Sequence, residues 1–246
     1  AGLTSFSDFA LASYVPPPVI TSSPATLSGF GYIQGSGPSA EQTFTVSGVN
    51  LTSNISIAAT TNYEISTTAG AGYTTPITLA HTAGTVASTT IYVRLKAGLT
   101  AGAYNGEVIN ITSTGATTNT VTCSGTVINP VLTAGTLSAF GNVCINTTAG
   151  PSSFTLSGSD LTTADVTIAA LPGFTYSTAA AGTYTSTLSI PQTGGVFSAT
   201  VYVKFTPTLV QSYNGNIAVG GGGAPSVNVA ASGRGVNTPA TVTTTS

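Results

Sequence analysis

Alternation of apolar and polar residues is the dominant pattern along this chain. The clearest case is Thr89–Leu95, whose apolar positions are Ile91, Val93 and Leu95. A period of two places every second side chain on the same face of a β-strand. We therefore predict a strand at this position, with its three apolar side chains facing a core and with Tyr92 and Arg94 facing outward.

Similar short segments recur at regular intervals, and Gly, Ser, Thr and Asn fill the stretches between them. In the first half of the chain the predicted strands are Thr26–Ile33, Gln42–Ser47, Ile55–Ala58, Tyr63–Ser66, Ile77–His81, Ala87–Leu95, Gly106–Thr112 and Thr118–Val127. In the second half, Ala199–Phe205 and Ile217–Val219 show the same pattern. No window has a helical period. Short, regularly spaced strands separated by turn residues predict an all-β sandwich.

The strand pattern occurs twice in the sequence. Phe44–Gly48 returns as Phe154–Gly158, 110 positions later, and Tyr104–Gly106 returns as Tyr213–Gly215, 109 positions later. A nearly constant offset over the whole unit indicates a tandem duplication with small loop deletions. We therefore predict two β-sandwich domains in an elongated arrangement, each large enough to bury its own core.

The repeats set the predicted domain boundaries. Residues 1–18 form an N-terminal extension or linker, residues 19–128 the first domain, residues 129–237 the second, and residues 238–246 a Thr-rich linker. Ser5–Leu11 alternates polar and apolar residues, so it is either a trimmed strand of a preceding domain or a strand donated to a neighbouring sheet edge. Pro16–Pro18 then predict a stiff spacer. We expect the chain to be a piece of a longer protein.

Charge narrows the function classes. Charged residues are only 4% of the chain, and Lys and Arg together number four. Nucleic-acid and anionic-membrane binding both need clustered basic residues, so the sequence argues against them. No apolar run reaches the length of a transmembrane helix. A hydroxyl-rich surface with few sites for trypsin-like proteases is typical of proteins outside the cell, and we predict an extracellular or cell-surface location.

Several blocks carry a family resemblance. Leu137–Cys144, Phe154–Gly158, Tyr202–Phe205 and Tyr213–Gly215 resemble the Ig-like repeats of Bacteroidota cell-surface and secreted proteins. The resemblance covers both repeats, and it implies tandem Ig-like sandwiches strung between a catalytic or adhesive region and a sorting domain for type IX secretion. Because such modules accompany many activities, it implies no particular one.

The two cysteines occupy non-equivalent positions. Cys123 lies in the last predicted strand of the first domain, and Cys144 lies 21 residues later. One hypothesis is an interdomain disulfide, which would stabilise the joint by about 3 kcal/mol. The alternative is two small buried residues, because Ala231 holds the place of Cys123 in the second repeat.

Tyr104 and Tyr213 precede Asn-Gly at equivalent positions. A tyrosine at the start of strand F of an Ig-like sandwich forms a corner by bonding its hydroxyl to nearby main chain. We predict this structural role for both, with an aromatic contact for sugar or protein as the alternative.

No catalytic, metal or cofactor site can be assembled from the sequence. His81 is the only histidine, its counterpart in the second repeat is Gln192, and we predict a polar residue at a strand end. Asp160 and Asp165 are the closest acidic pair. Asp160 aligns with Asn50, which favours a turn residue over a weak cation ligand.

The leading functional hypothesis is a non-catalytic structural module of a surface adhesin, stalk or filament. Its predicted partners are neighbouring domains of the same chain, or identical subunits joined by β-strand addition. One alternative is an accessory region of a secreted enzyme whose catalytic domain lies elsewhere. Another is a carbohydrate-binding module, although the chain has no Trp to stack on sugars.

Overall fold

Residues 14–237 are described by a computed structural model of the chain. Every regular element among them is a β-strand, and no helix occurs in this range. The all-β prediction is therefore confirmed. The predicted strand at Ser5–Leu11 and the predicted Thr-rich linker lie outside the described residues.

The chain folds into two compact units. One is built mainly from residues up to Thr126, and the other mainly from Val127 onward. We call the strands between residues 19 and 128 the first sandwich. Within the described chain they are β1 (Val19–Ser23), β2 (Thr26–Ile33), β3 (Gln42–Val49), β4 (Ile55–Ala58), β5 (Tyr63–Ser66), β6 (Ile77–Leu79), β7 (Val86–Leu95), β8 (Gly102–Thr112) and β9 (Asn119–Ile128).

The strands of the first sandwich form two sheets, with the orders β1-β3-β7-β5 and β2-β9-β8-β4-β6. From β3 to β8 the chain changes sheet with every strand, and only β8 and β9 are consecutive neighbours. The first sheet resembles the ABED sheet of an immunoglobulin domain and the second contains its CFG strands. Because strand pairing is mostly between distant segments, this topology depends on long-range contacts.

The second sandwich repeats this plan. Its strands among the described residues are β10 (Val131–Ala134), β11 (Asn142–Cys144), β12 (Ala149–Leu161), β13 (Val166–Ile168), β14 (Phe174–Ser177), β15 (Leu188–Ile190), β16 (Gly195–Phe205), β17 (Ser212–Gly221) and β18 (Ala224–Val236). The sheet orders are β10-β12-β16-β14 and β11-β18-β17-β13-β15. The prediction of tandem β-sandwiches is confirmed, and the elongated arrangement stays a prediction.

Strand alternation builds each core. Ile91, Val93 and Leu95 are fully buried, as their pattern predicts, while Tyr92 and Arg94 are only half-buried on the outer face. In the second sandwich, residues from both sheets form one core, in which the rings of Phe174 and Phe205 stack with centroids 4.9 Å apart. Each large side chain buried in this way contributes about 2 kcal/mol.

One strand of the first sandwich was not predicted. Val19–Ser23 forms β1, which pairs with β3 from Val19 opposite Val49 to Ser23 opposite Thr45. Its sequence, Val-Ile-Thr-Ser-Ser, carries only two apolar residues, and it lies between Pro18 and Pro24. Its partner strand, rather than its own pattern, determines that it is a strand.

The first and last strands of each five-stranded sheet run in the same direction. In the second sandwich β11 pairs in parallel with β18, from Asn142 opposite Arg234 to Cys144 opposite Val236. In the first sandwich, Thr122 N donates to Ala25 O and Gln34 N donates to Ile128 O, so the bonded positions rise together along β2 and β9.

The glycine shared by both Tyr-Asn-Gly motifs is required for two different reasons. Gly106 has a φ of +74°, a conformation that favours glycine, and nothing lies where a Cβ would stand. Gly215 lies in a regular stretch of β17, but a Cβ there would be 2.8 Å from Cδ1 of Leu171. Glycine is therefore needed at Gly106 for the backbone conformation and at Gly215 for the close packing of Leu171.

Candidate functional site

Tyr213 has the geometry expected of a tyrosine corner. Its hydroxyl accepts hydrogen bonds from the main-chain N–H of Thr208 at 3.1 Å and of Leu209 at 2.9 Å. The Thr208 side chain is the main cause that lowers the pKa of Tyr213, and these two main-chain donors add to it. The hydroxyl thus holds the β16–β17 connection in place.

Tyr104 differs from its counterpart. It is half-buried, and its main-chain O accepts a 2.8 Å hydrogen bond from the hydroxyl of Tyr63. Tyr63 is fully buried, and burial is the largest cause that raises the pKa of its phenol. The second sandwich has Phe174 at the position of Tyr63. The tyrosine-corner role of Tyr104 stays a prediction.

Both cysteines are free thiols in the structure. Cys123 is 0% exposed, and burial, followed by the charge of Glu107, raises the pKa of its thiol to about 12. Cys144 is half-buried, with its Sγ 4.0 Å from the main-chain O of Asn237. Ala231, equivalent to Cys123, is also buried. Burial favours the alternative of a small core residue for Cys123, and the disulfide stays a prediction.

His81 caps a tight turn. Its Nδ1 accepts a 3.1 Å hydrogen bond from Gly84 N, and Gly84 has a φ of +75°. Gln192 does the same in the second sandwich, where its Oε1 accepts from Gly194 N at 2.5 Å and Gly194 has a φ of +84°. Two chemically different side chains therefore supply one acceptor at the same point of the fold.

The acidic side chains accept hydrogen bonds from other residues of their own sandwich. Asn50 and Asp160, the aligned pair, have left-handed φ values of 55° and 54°, which agrees with a turn role. Asp165 accepts a 2.8 Å hydrogen bond from the Ser189 hydroxyl, and Glu107 accepts one of 2.7 Å from Asn62 Nδ2. Among residues 14–237, no three His, Cys, Asp or Glu side chains are grouped so that they could hold a metal ion.

A tyrosine and a cation meet on the outer face of the first sandwich. The guanidinium carbon of Arg94 lies 3.6 Å from the ring centroid of Tyr73, and Arg94 Nε lies 2.6 Å from Oε1 of Glu64. The Tyr73 hydroxyl donates to Glu41, which also accepts a 2.7 Å hydrogen bond from Gly70 N. The Gly- and Ala-rich loop before β6 is thereby held against the sheet.

The second sandwich repeats this contact with different residues. Lys204 Nζ lies 4.2 Å from the ring centroid of Tyr184, and the Tyr184 hydroxyl donates to Ala180 O at 2.9 Å. Thr175, opposite Lys204 on β14, takes the place of Glu64. We call Tyr73 with Arg94, and Tyr184 with Lys204, the aromatic–cation clamps.

Arg94 and Lys204 are equivalent in the repeats, 110 positions apart, but their aromatic partners were not predicted from the sequence. Tyr73 and Tyr184 each stand alone in an Ala- and Gly-rich loop, 111 positions apart. That spacing is the signal that could have found them. A cation covers one face of each ring, which leaves at most the opposite face for stacking on a sugar.

All of these contacts lie within one sandwich and hold its loops and turns against its strands. The cations cover tyrosine rings, the acids bond neighbouring donors, and the tight turns are capped by side chains. In the described part of the chain, Asp165 accepts a hydrogen bond from the Ser189 hydroxyl, but no histidine bonds to that pair. Over the same range, no helix is long and apolar enough to span a membrane.

No protein-family model matches the chain, and no match is found among curated proteins. Several solved structures are remotely similar to the chain. The C-terminal domain of the AgI/II polypeptide BspA of Streptococcus agalactiae is 10% identical, with a TM-score of 0.40, covering 89% of this chain and 100% of that one. The C-terminal domain of the antigen I/II-family protein AspA of Streptococcus pyogenes is 8% identical, with a TM-score of 0.34, covering 90% and 100%.

A PapD-like domain of human CEP192 is 13% identical, with a TM-score of 0.25, and covers 44% of this chain and 86% of that one. Likenesses of this size carry no argument about function. The fold assignment rests on the sheet orders and the buried positions.

Proposed function

We propose that this chain is a non-catalytic structural module of an extracellular stalk, filament or adhesin, in which it resists tension along the chain. The observation that carries the proposal is the parallel pairing of β11 with β18. These strands lie near the start and the end of the second sandwich. Pulling the ends of the domain apart would slide parallel strands past each other, so their hydrogen bonds would bear the force together.

The first sandwich supports the same role. β2 is the neighbour of β9 in its five-stranded sheet, and β2 has eight residues where β11 has three. A longer parallel pair places more hydrogen bonds in shear. We therefore expect the first sandwich to resist a higher force than the second.

Surface chemistry supports an extracellular setting. With a charged fraction of 4% and abundant hydroxyl side chains, the surface stays hydrated without attracting strongly charged partners. Export by type IX secretion and a Bacteroidota origin are part of this proposal only through the family resemblance of the repeats.

Protease digestion and glycan-binding measurements test this proposal against its alternatives. We expect the native chain to withstand a broad-specificity protease and to retain no glycan from an array of neutral and acidic oligosaccharides. Saturable glycan binding that is lost in Tyr92→Ser or Tyr202→Ser would instead establish a carbohydrate-binding module, since both tyrosines lie half-buried on outer faces. Thr90→Ser, on the same face of β7 as Tyr92, is the matched control.

A further inference from the structure

The two sandwiches differ in the link between their first two strands. Val19 pairs with Val49 and Val131 pairs with Ser159, so Val19–Ser23 corresponds to residues 131–135. In the first sandwich, Pro24 and Ala25 follow before Thr-Leu-Ser at residues 26–28. In the second, Thr-Leu-Ser at residues 136–138 follows at once, so the link is two residues shorter.

This shorter link keeps the next segment away from the neighbouring sheet. Gly135 N still donates to Thr155 O at 2.8 Å, in the four-stranded sheet. The first hydrogen bond to β18 is made by Phe140 N, which donates to Ser232 O at 2.9 Å. Residues 136–139 must therefore cross between sheets that pack about 10 Å apart, and they form no strand. In the first sandwich the same motif lies within β2.

As a result, part of β18 has an open edge. Ser232 and Arg234 direct main-chain groups toward residues 140–141. Because these groups alternate along a strand, Asn228 and Ala230 direct theirs to the same side. Within residues 14–237, no hydrogen bond from the segment 134–141 reaches either of them. In the first sandwich, Thr122, the equivalent of Ala230, donates to Ala25 O at 2.9 Å.

A cavity of about 350 Å³ separates this edge from the crossing segment, and it is lined by residues 134–137 and 228–230. Ser226, Asn228 and Ala230 are exposed, small and uncharged. Natural proteins protect sheet edges with charged side chains, bulges or covering segments. This stretch has no charged side chain, and such an edge is suited to β-strand addition.

We propose that the open edge at Asn228–Ala230 accepts Ser5–Leu11 of a second copy as an added strand. This segment carries one charge, Asp8, and alternates in the way that a strand does. It lies outside the described residues and is followed by Pro16–Pro18, a stiff extended spacer. The inference deepens the proposed function, on which it rests, because strand donation joins one module to the next.

Sedimentation velocity of the full chain over a range of concentrations tests this inference. We expect association that grows with concentration, together with slower hydrogen exchange at the amides of Asn228 and Ala230. Ala230→Pro removes an N–H that points to the open edge and not to β17, so it should weaken association about tenfold without unfolding the sandwich. Phe9→Ser should weaken association from the donor side.

A second variant closes the edge from within. Insertion of Pro-Ala between Gly135 and Thr136 restores the link of the first sandwich, so residues 136–139 should pair with β18 and association should be lost. Val196→Ser is the matched control, because Val196 is 86% exposed but remote in sequence from the edge strand, and it should associate as the unaltered chain does.

Three results would overturn the inference. The first is a monomer at every concentration with fast exchange at both amides. The second is association that neither Ala230→Pro nor the Pro-Ala insertion reduces. The third is protection of both amides in dilute monomer, which would mean that the chain covers its own edge. In each case the tension-bearing role of the single chain would still be open to the pulling test described in the Discussion.

Discussion

Single residues show that the duplication has preserved roles more closely than side chains. His81 and Gln192 share no chemistry beyond an acceptor atom, yet each receives the N–H of a glycine in a tight turn. Cys123 and Ala231 share only small size and burial. An unpaired main-chain N–H in a turn costs folding free energy. An acceptor is therefore required at this position, but different side chains can supply it.

The turn caps give a matched pair of substitutions. His81→Gln should leave the stability of the first sandwich unchanged, because the amide oxygen accepts from Gly84 N as Gln192 accepts from Gly194 N. His81→Ala should cost about 1 kcal/mol, the usual contribution of one hydrogen bond. Urea unfolding measures both, with Gln192→Ala as the control in the other domain. Equal stability of His81→Ala and the unaltered chain would contradict the capping role.

Cys123 makes the first sandwich sensitive to alkaline pH. Its thiol has an ordinary pKa of 9.0 and a pKa of about 12 in the folded chain. The folded state therefore disfavours the thiolate, and the stability that this thiol contributes is complete below pH 9 and is lost as pH rises toward 12. Compared with Cys123→Ala, the unaltered chain should lose stability across that range. Parallel stability curves for the two chains, measured by urea unfolding, would contradict this.

Thiol labelling provides an independent test at the same residue. The thiolate is the reactive form, so buried Cys123 should react with iodoacetamide only on unfolding, whereas half-buried Cys144 should react in the native chain. Peptide mapping without reduction also decides the interdomain disulfide, since two labelled thiols exclude it and one linked peptide pair establishes it.

Among the elements, the aromatic–cation clamps hold the Ala- and Gly-rich loops that precede β6 and β15. The Arg94 clamp also has the ion pair to Glu64, which the Lys204 clamp lacks. In double-mutant cycles, Tyr73 and Arg94 should couple by about 0.5–1 kcal/mol, and Tyr184 and Lys204 by less.

Hydrogen exchange provides the local readout for the clamps. Arg94→Ala should speed exchange in residues 69–75 and leave residues 180–186 unchanged, while Lys204→Ala should do the reverse. Exchange that is unchanged in both loops would show that the clamps do not hold them.

The sequence predicted most elements of the first sandwich because its strands alternate locally. β2, β4 and β5 have the predicted bounds, and the others differ by a few residues at their ends. The missed features depend on distant partners. β1 is defined by its pairing with β3, and the loss of a strand at residues 136–139 follows from a two-residue difference in the preceding link. Local pattern cannot report either effect.

The candidate site was predictable to a smaller extent. Equivalent positions in the repeats located Tyr213 and the turn at Asp160, because each role is carried by one residue and its near neighbours. The turn-capping role that His81 shares with Gln192 was not predicted. The contact of Tyr73 with Arg94 joins a loop to a strand 21 residues away, so it needed the fold. Repeat equivalence was misleading for Tyr104, which is half-buried although its counterpart Tyr213 is buried.

At the scale of the whole molecule, the chain changes sheet with almost every strand, so few contacts are local. Such topologies fold slowly, because distant segments must lose chain entropy to meet before their hydrogen bonds and packing stabilise the fold. They also pair the second strand of each sandwich in parallel with its last strand. We propose that this parallel pairing lets each sandwich resist tension.

Single-molecule pulling from the two ends of the chain tests that claim most directly. We predict two separate unfolding events, each releasing about 35–40 nm of chain, as expected for about 110 residues. The event at lower force should belong to the second sandwich, whose parallel pair is only three residues long, and the Pro-Ala insertion after Gly135 should raise that force. A single event, or two events at forces that the insertion leaves unchanged, would contradict the account.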